Sequence, residues 1–441
     1  MNGPLTIRSV EARWLHCPIP LDRQHVSDFG RIASFDMALV RVETEDGLVG
    51  WGEAKAAVGS AGSCRALVAC LNDELGPAVV GQDARRVNEL AGRMYNGPRA
   101  GYAALRGRVF PILGRRGLTV SAISGIDMAL WDLLGRFLDV PVVDLWGGPC
   151  RPDMALYASG GWGDVDTIGT ELDGYVAAGF GAVKMRVGVI DGTVDTSVAR
   201  VAAARAALGQ GIDLMVDAHG TFSVPEAKRF AAGVESLDVR WFEEPVSADD
   251  RRGAAAVRAS TTVAIAAGES EFTRFDFRDL IEREAVDVLQ PDLAICGGPS
   301  EGRRIAALAE AYQLELAPHC WGSALSFNAG ASLAFASPAA TVIEYSLGAN
   351  PLLHDLVAED VTVQHGRLAA PTRPGLGVTP RPEFIDEFTV PIEPADSGAL
   401  NERNQHPIRD QHPTRQPDGQ RPRCDGVVLH RSHRSGPRVH A

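Results

Sequence analysis

The sequence has very little lysine. Only three of its 43 lysine and arginine residues are lysine, namely Lys55, Lys184 and Lys228. Because arginine is used almost everywhere else, each lysine is expected to do something that suits a compact ammonium group with an adjustable pKa. The 56 acidic residues outnumber the basic ones and give a net charge of −13. That balance argues against nucleic-acid binding, which usually needs a basic face.

Paired cysteine motifs and long apolar runs are missing as well. The seven cysteines are scattered, odd in number and without a Cys-x-x-Cys pair, which favours reduced thiols over a disulfide framework or a zinc site. No apolar run reaches the roughly 18 residues of a membrane-spanning segment, and the N-terminus lacks the charged-then-apolar pattern of a secretion signal. We therefore expect a cytoplasmic protein that binds neither membrane nor nucleic acid.

What the sequence does contain is a regular series of ionisable residues at the ends of short apolar segments. Asp217 ends IDLMVD, Glu243 ends VRWFE and Glu269 ends VAIAAGE. Each step (217 to 243 to 269) is 26 residues, about the length of one strand, one loop and one helix in a βαβ unit. Similar steps lead to three further residues, Asp292, His319 and Glu344.

This repeat predicts an α/β fold with a (β/α)8-type barrel, a modified TIM barrel. The eight predicted strands lie at about 154–159, 181–186, 212–217, 239–243, 262–268, 286–291, 314–318 and 340–345. All strand ends of such a barrel face one mouth, where the active site of this fold lies. Carboxylates gathered there repel one another unless a cation lies between them, and Mg²⁺ suits an all-oxygen ligand set.

The chain divides into four predicted parts. Residues 1–125 form an α+β capping domain that begins with antiparallel strands, and residues 126–360 form the barrel. Residues 361–392 are expected to pack back on the cap. From 393 to 441 the composition turns to arginine, histidine and proline with few apolar residues, which predicts a disordered tail. The segments 18–33 and 54–63 are interpreted as mobile loops.

Several motifs, in their order and spacing, resemble the enolase superfamily in its mandelate racemase and muconate lactonizing enzyme branch. They include GWGEA at 50–54, KMR at 184–186, VDAHG at 216–220, FEEP at 242–245, AAGES at 266–270, QPD at 290–292 and APHCWGS at 317–323. The resemblance runs from about residue 5 to residue 390. It implies that Asp217, Glu243 and Glu269 bind Mg²⁺, that Glu244 is structural, and that the N-terminal domain caps the barrel mouth.

The family chemistry that this resemblance implies is removal of a proton next to a carboxylate. Mg²⁺ stabilises the charge of the resulting enediolate near the transition state, so that a base of modest strength suffices. His319 is the predicted base, with Asp292 on its other ring nitrogen to fix the tautomer and stabilise the imidazolium. Glu344 is predicted to be hydrogen-bonded to the enediolate oxygen.

Two positions distinguish the chain from the racemases. Racemases of this branch carry Lys-x-Lys, whose second lysine is a base, but Arg186 stands there, and guanidinium is a poor proton shuttle. Lys184 matches the first lysine, which contacts the substrate carboxylate, and its action as a base remains an alternative. His219, two residues after Asp217, matches the acid-sugar dehydratases of the family, which use this histidine to protonate a departing β-hydroxyl.

We therefore predict a Mg²⁺-dependent dehydratase that converts an aldonate or aldarate, a small acid-sugar substrate, into a 2-keto-3-deoxy acid. A racemase, epimerase or cycloisomerase of the same family is the alternative. A non-catalytic barrel that uses Mg²⁺ only for structure is a third reading, and the Asp292–His319 pair argues against it. We also expect a homo-oligomer. The residues that select one acid sugar lie in loops and do not identify it.

Overall fold

Alternating apolar and polar residues form an antiparallel sheet at the start of the chain in the computed structural model. The first five strands are β1 (Ile7–Pro18), β2 (His25–Ser27), β3 (Gly30–Ile32), β4 (Ser34–Thr44) and β5 (Val49–Ala54). The sheet order is β1-β4-β5, while β2 and β3 form a separate hairpin. The sequence predicted only an irregular loop at 18–33. That prediction was wrong because three-residue strands are too short to show a period.

The helices of the capping domain pack on this sheet or on one another. They are α1 (Arg65–Ala69), a π-helical turn (Cys70–Leu75), α2 (Gly76–Val79), α3 (Val87–Asn96), α4 (Ala100–Arg106) and α5 (Leu118–Leu138), followed by the short α6 (Val142–Leu145). Strand β5 approaches α5 backbone to backbone. A Cβ on Gly52 would lie 2.1 Å from the carbonyl oxygen of Gly125, so that only glycine fits there. This close approach fixes the position of the end of β5.

The barrel strands follow at the predicted places. They are β6 (Asp153–Ser159), β7 (Ala182–Arg186), β8 (Asp213–Asp217), β9 (Val239–Glu243), β10 (Ala264–Ala267), β11 (Val288–Leu289), β12 (Glu315–Leu316) and β13 (Val342–Ser346). Neighbours in sequence pair in parallel, β13 pairs with β6, and a bridge between Leu316 and Ala340 closes the ring. The predicted modified TIM barrel is confirmed.

Helices alternate with these strands around the outside. They are α7 (Ile168–Ala177), α8 (Val194–Leu208), α9 (Val224–Val234), α10 (Arg251–Arg258), α11 (Thr273–Glu282), α12 (Gly298–Tyr312) and α13 (Ala324–Ala336). The helix that directly follows β13 is the four-residue α14 (Pro351–His354). Inside the barrel each strand or the residue beside it contributes one buried side chain, and Tyr157 and Trp241 pack edge to face at 5.4 Å. The barrel is therefore filled below its mouth.

The last described segment contacts both domains. Its hairpin, β14 (Val363–Gln364) and β15 (Arg367–Ala369), pairs antiparallel with barrel strand β6. Its helix α15 (Pro382–Phe388) leads to Thr389, which bridges to Leu15 of β1 in the cap. The predicted packing on the cap thus describes only part of the segment, and the predicted boundary at residue 125 falls within α5. The domain limits remain predictions.

The structure describes residues 4–392 except 29, 58, 60, 112, 113, 360 and 362. The predicted disordered tail, 393–441, lies outside the described residues. Of the described helices, α5 is long and apolar enough to cross a membrane by length and composition, but 83% of its most apolar stretch is buried inside the fold. That burial is typical of a core helix.

Candidate active site

Three carboxylates meet at the mouth of the barrel. Asp217 ends β8, Glu243 ends β9 and Glu269 lies just after β10. One oxygen of each lies within 4.8 Å of the others, and all three residues are buried. Asp217 Oδ2 and Glu269 Oε2 accept no regular hydrogen bond from the described residues, although the side chains of Arg186, His219 and His319 lie against them. Three buried carboxylates this close together repel one another, and a hard divalent cation between them would offset that repulsion with an all-oxygen ligand set.

Lys184 lies at the centre of the same cluster. Its Nζ is 2.6 Å from Glu243 Oε1, 3.0 Å from Glu344 Oε1 and 3.5 Å from Asp217 Oδ2. Burial alone would lower the pKa of Lys184, but the charges of Glu243 and Glu344 outweigh it and raise that pKa. A lysine held protonated in this way suits binding of an anionic substrate better than proton abstraction.

His319 and Asp292 form the predicted pair. His319 Nδ1 lies 2.7 Å from Asp292 Oδ2, and Nε2 points toward the carboxylates, 3.3 Å from Glu269 Oε2. Burial would raise the pKa of Asp292, but Lys55 and His319 lower it to about 2, so Asp292 is an anion. Nδ1 is thereby occupied, and Nε2 is the ring nitrogen that can exchange a proton at the barrel mouth.

His219 is part of a second histidine–aspartate pair, which the sequence did not predict. Its Nδ1 lies 2.9 Å from Asp28 Oδ2, and Asp28 belongs to the cap, directly after β2. His219 Nε2 lies 3.3 Å from Asp217 Oδ2. Its backbone has a φ of +45°, so the turn after β8, rather than continued strand alternation, brings the ring back over Asp217. Burial and Arg186 lower the pKa of His219, and Asp28 opposes them.

Arg186 and Glu344 complete the predicted set. The guanidinium of Arg186 contacts the Asp217 carboxylate and lies over the ring of Trp321, 5.3 Å from its centroid. Glu344 Oε2 accepts the N–H of Cys320 at 2.8 Å. Burial raises the pKa of Glu344, but Lys184 and His319 lower it well below its ordinary range. An ionised Glu344 only accepts hydrogen bonds, so it would meet an anionic substrate oxygen through Lys184 or after gaining a proton.

One wall of the mouth is held by residues that sequence reasoning missed. In the loop after β6, the N–H groups of Gly161, Trp162 and Gly163 donate to Glu171, and the carbonyls of Gly161 and Gly163 accept from Arg200. The Trp162 ring packs edge to face on Trp321 at 6.0 Å. Glu171 and Arg200 lie on the outer helices α7 and α8, where nothing in the local sequence marks them as supports of the mouth.

The fold and the site define a class of β/α-barrel enzyme with a carboxylate cluster that could hold a metal ion and two buried histidines beside it at the mouth of the barrel. The chain matches the family model for the N-terminal domain of mandelate racemase and muconate lactonizing enzyme over residues 9–147. It matches the enolase C-terminal domain-like model over residues 168–384. The chain belongs to the mandelate racemase/muconate lactonizing enzyme family of the enolase superfamily.

Similar proteins cover most of the chain. The D-galactonate dehydratase of Ralstonia pickettii is 40% identical over 364 residues, 80% of this chain and 89% of the relative. The D-galactarolactone cycloisomerase of Agrobacterium fabrum is 32% identical over 366 residues, 80% of this chain and 91% of the relative.

Solved structures of the superfamily match the fold. A racemase from Streptomyces coelicolor with bound magnesium has a TM-score of 0.76 and 30% identity, with 87% of this chain and 100% of that one covered. The 3,6-anhydro-D-galactonate cycloisomerase of Zobellia galactanivorans has a TM-score of 0.75 and 29% identity, with 88% and 100% covered.

Proposed function

We propose that the protein is a Mg²⁺-dependent acid-sugar dehydratase that converts an aldonate, with D-galactonate as the first substrate to test, into its 2-keto-3-deoxy acid. The observation that carries this proposal is the presence of two histidine–aspartate pairs beside one carboxylate cluster. His319 lies beside Glu269, and His219 lies beside Asp217. Dehydration needs two proton transfers at neighbouring carbons, and two separately held histidines supply them.

Asp217, Glu243 and Glu269 would hold the metal ion. A bound Mg²⁺ supplies Lewis-acid stabilisation of the negative charge that develops on the substrate carboxylate as the α-proton leaves. The use of magnesium is supported by the all-oxygen donor set and by the magnesium in the Streptomyces coelicolor racemase structure.

The base is His319. Its Nε2 takes the proton from C2 of the acid sugar, and the negative charge of Asp292 stabilises the imidazolium that forms. Lys184, protonated and buried among the carboxylates, is positioned to bind the substrate carboxylate. Arg186 cannot act as a second base on the opposite face, which disfavours a two-base racemisation. It is a hydrogen-bond donor for a substrate hydroxyl or carboxylate instead.

The acid is His219. When its Nε2 donates a proton to the 3-hydroxyl, the C3–O bond breaks and water leaves, while the electrons of the broken C2–H bond form the C2=C3 double bond. The resulting enol then converts to the 2-keto-3-deoxy acid. Asp28 holds the other ring nitrogen, so His219 is oriented by the cap rather than by the barrel alone. The acid is thus complete only when the cap is in place.

A cycloisomerase is the second candidate, favoured by the two cycloisomerases among the similar proteins. The names of those proteins specify cyclic substrates, a lactone and an anhydrosugar acid, whereas the dehydratase proposal concerns an open-chain acid. The two readings therefore predict different substrates for the same site. Racemisation is the least supported alternative because of Arg186.

The test is an assay for 2-keto acid formation with Mg²⁺ and a panel of open-chain aldonates and aldarates, D-galactonate first, beside D-galactarolactone. We expect keto acid from at least one open-chain acid, loss of the product after exhaustive chelation, and its return when Mg²⁺ is added. Full activity after chelation would refute the metal site. Turnover of the lactone alone, or epimerised acid without keto acid, would replace dehydration by the corresponding alternative.

A cytoplasmic location is part of the same proposal. The net negative charge and the absence of cysteine-pair motifs support a cytoplasmic enzyme that acts on a small molecule without nucleic acid or membrane. A homo-oligomer also remains a prediction. Light scattering of the purified protein tests it.

A further inference from the structure

The end of strand β5 brings two charged side chains from the cap into the barrel. Glu53 is 0% exposed and Lys55 is 1% exposed. Strand β5 is held in place by its close backbone packing on α5, and this fixes the backbone from which both side chains extend. Burial of charged groups is costly unless each is fully paired, and the partners of both residues lie in the barrel.

Lys55 contacts the support of the catalytic base. Its Nζ is 2.9 Å from Asp292 Oδ2 and 2.9 Å from the carbonyl oxygen of Trp321. Oδ2 of Asp292 is the same oxygen that lies 2.7 Å from His319 Nδ1. Asp292 Oδ2 therefore lies within hydrogen-bond distance of both the Lys55 ammonium and the His319 ring.

Glu53 holds the segment that follows. Its carboxylate accepts the N–H and the hydroxyl of Ser323 and the N–H of Ser326, at 3.1, 2.5 and 3.2 Å. These groups form the start of helix α13, directly after the loop with His319 and Trp321. The cap thus contacts residues 321–326 twice, through Lys55 at the carbonyl of Trp321 and through Glu53 at Ser323 and Ser326.

We propose that Lys55 is a positioning residue for the reaction, which fixes the Asp292 carboxylate, and through it the ring of His319, only when β5 of the cap is docked on the barrel. This inference rests on the proposed role of His319 as the base. A lysine suits the position because a compact ammonium satisfies two acceptors on neighbouring segments, whereas the planar guanidinium has five N–H groups to pair. This requirement explains why position 55 carries a lysine in a chain that uses arginine almost everywhere else.

The test compares Lys55→Met, which keeps an unbranched side chain as far as Cε and removes the ammonium group, with Lys228→Met as the control. Lys228 is half-buried on the outer helix α9. Loss of a group that orients a catalytic ligand typically costs about 10- to 100-fold. We expect kcat of Lys55→Met to fall by about that factor while KM changes less than about threefold, since the substrate-binding groups are untouched.

The isotope effect separates positioning from a general structural role. If proton abstraction is slowed, the kinetic isotope effect with C2-deuterated substrate should rise in Lys55→Met and stay unchanged in Lys228→Met. A merely structural role would instead change KM, metal affinity and melting temperature together, with no rise in the isotope effect, and would overturn the proposal. Where Lys55→Met does not fold, Lys55→Gln replaces it, because the amide is one atom shorter and carries no charge. The same fall in kcat and rise in the isotope effect are expected, and a wild-type kcat in Lys55→Gln would overturn the proposal.

A double-mutant cycle tests whether Lys55 acts through Asp292. In an Asp292→Asn background, Lys55→Met should cause no further loss of kcat. Losses that multiply would show that Lys55 acts elsewhere. The ratio of each variant's rate to the wild-type rate is also measured for α-hydrogen exchange in D₂O. This exchange needs His319 but no loss of water. A wild type that exchanges but forms no keto acid refutes dehydration and leaves this test intact, whereas a Lys55→Met variant as fast as an active wild type refutes this inference alone.

Discussion

Asp28 of the cap and His219 of the barrel lie 2.9 Å apart, between Oδ2 and Nδ1, although 191 residues separate them in the sequence. The contact gives the proposed acid the same support that Asp292 gives the proposed base. Both histidines keep Nε2 toward the carboxylate cluster. Because Asp28 belongs to the cap, the loss of water that needs His219 depends on the cap. The Lys55–Asp292 contact makes proton abstraction by His319 depend on the cap as well.

Asp28→Asn should impair dehydration more than proton abstraction. The amide cannot stabilise the protonated ring of His219 as the carboxylate does, so we expect keto-acid formation to fall about 10- to 100-fold. Exchange of the α-hydrogen with D₂O should remain within a few-fold of wild type. Asp22→Asn, an exposed residue earlier in the same segment, is the control. Equal losses of both events in Asp28→Asn would assign Asp28 to substrate binding or folding instead.

Lys184→Met should separate metal binding from catalysis. The ammonium of Lys184 and a divalent cation compete for the charge of Asp217 and Glu243, and the two positive charges repel each other. We expect the variant to bind Mg²⁺ more tightly than wild type, by about tenfold, and yet to lose most of its turnover. Calorimetric titration of the substrate-free protein with Mg²⁺ measures the first effect, with Lys228→Met as the control. Weaker binding of Mg²⁺ by Lys184→Met would contradict the account.

Asp127, which lies away from the active site, should make the stability of the protein depend on pH. It lies on α5 and accepts the N–H and hydroxyl of Ser300 at the start of α12, both at 2.7 Å. Burial raises the pKa of Asp127 from 3.8 to about 7, and the hydrogen bonds from Ser300 oppose the rise. The folded state then holds the proton of Asp127 more tightly than the unfolded state does. The contribution of this proton to the free energy of unfolding is therefore full below about pH 4 and is lost as the pH rises toward 7.

Asp127→Asn should remove this contribution. Between pH 5 and 7 the free energy of unfolding of wild type should fall, relative to the variant, by up to about 1.4 kcal/mol per pH unit. Urea unfolding at several pH values measures the difference, and Asp173→Asn, exposed on α7, is the control. Parallel pH profiles for wild type and Asp127→Asn would show that Asp127 titrates as in the unfolded chain.

The barrel and its carboxylates could be predicted because the fold repeats one unit. Each strand ends at the same mouth, so an ionisable residue after each apolar segment is visible as a regular spacing. The described strands start and end within a few residues of the predicted ones. The roles of the individual site residues, from Asp217 to Glu344, stay predictions that the geometry supports.

The contacts between cap and barrel could not be predicted in the same way. Asp28 sits in a segment of short strands with no period, and Lys55 was notable only because lysine is rare. Lys55 and Asp292 are 237 residues apart in the sequence, and no local pattern encodes which cap residue meets which strand end. Asp28 as the partner of His219, and Lys55 as a contact of Asp292, therefore became visible only in the folded structure.

The most direct test of the central claim follows both proton transfers by proton NMR in D₂O, with an acid sugar that the wild type turns over. His319→Asn should abolish α-hydrogen exchange and dehydration together. His219→Asn should lower dehydration by about two to four orders of magnitude, the usual loss for a general acid, and still exchange the α-hydrogen. Unimpaired dehydration by His219→Asn, or continued exchange by His319→Asn, would contradict the assignment of the two histidines.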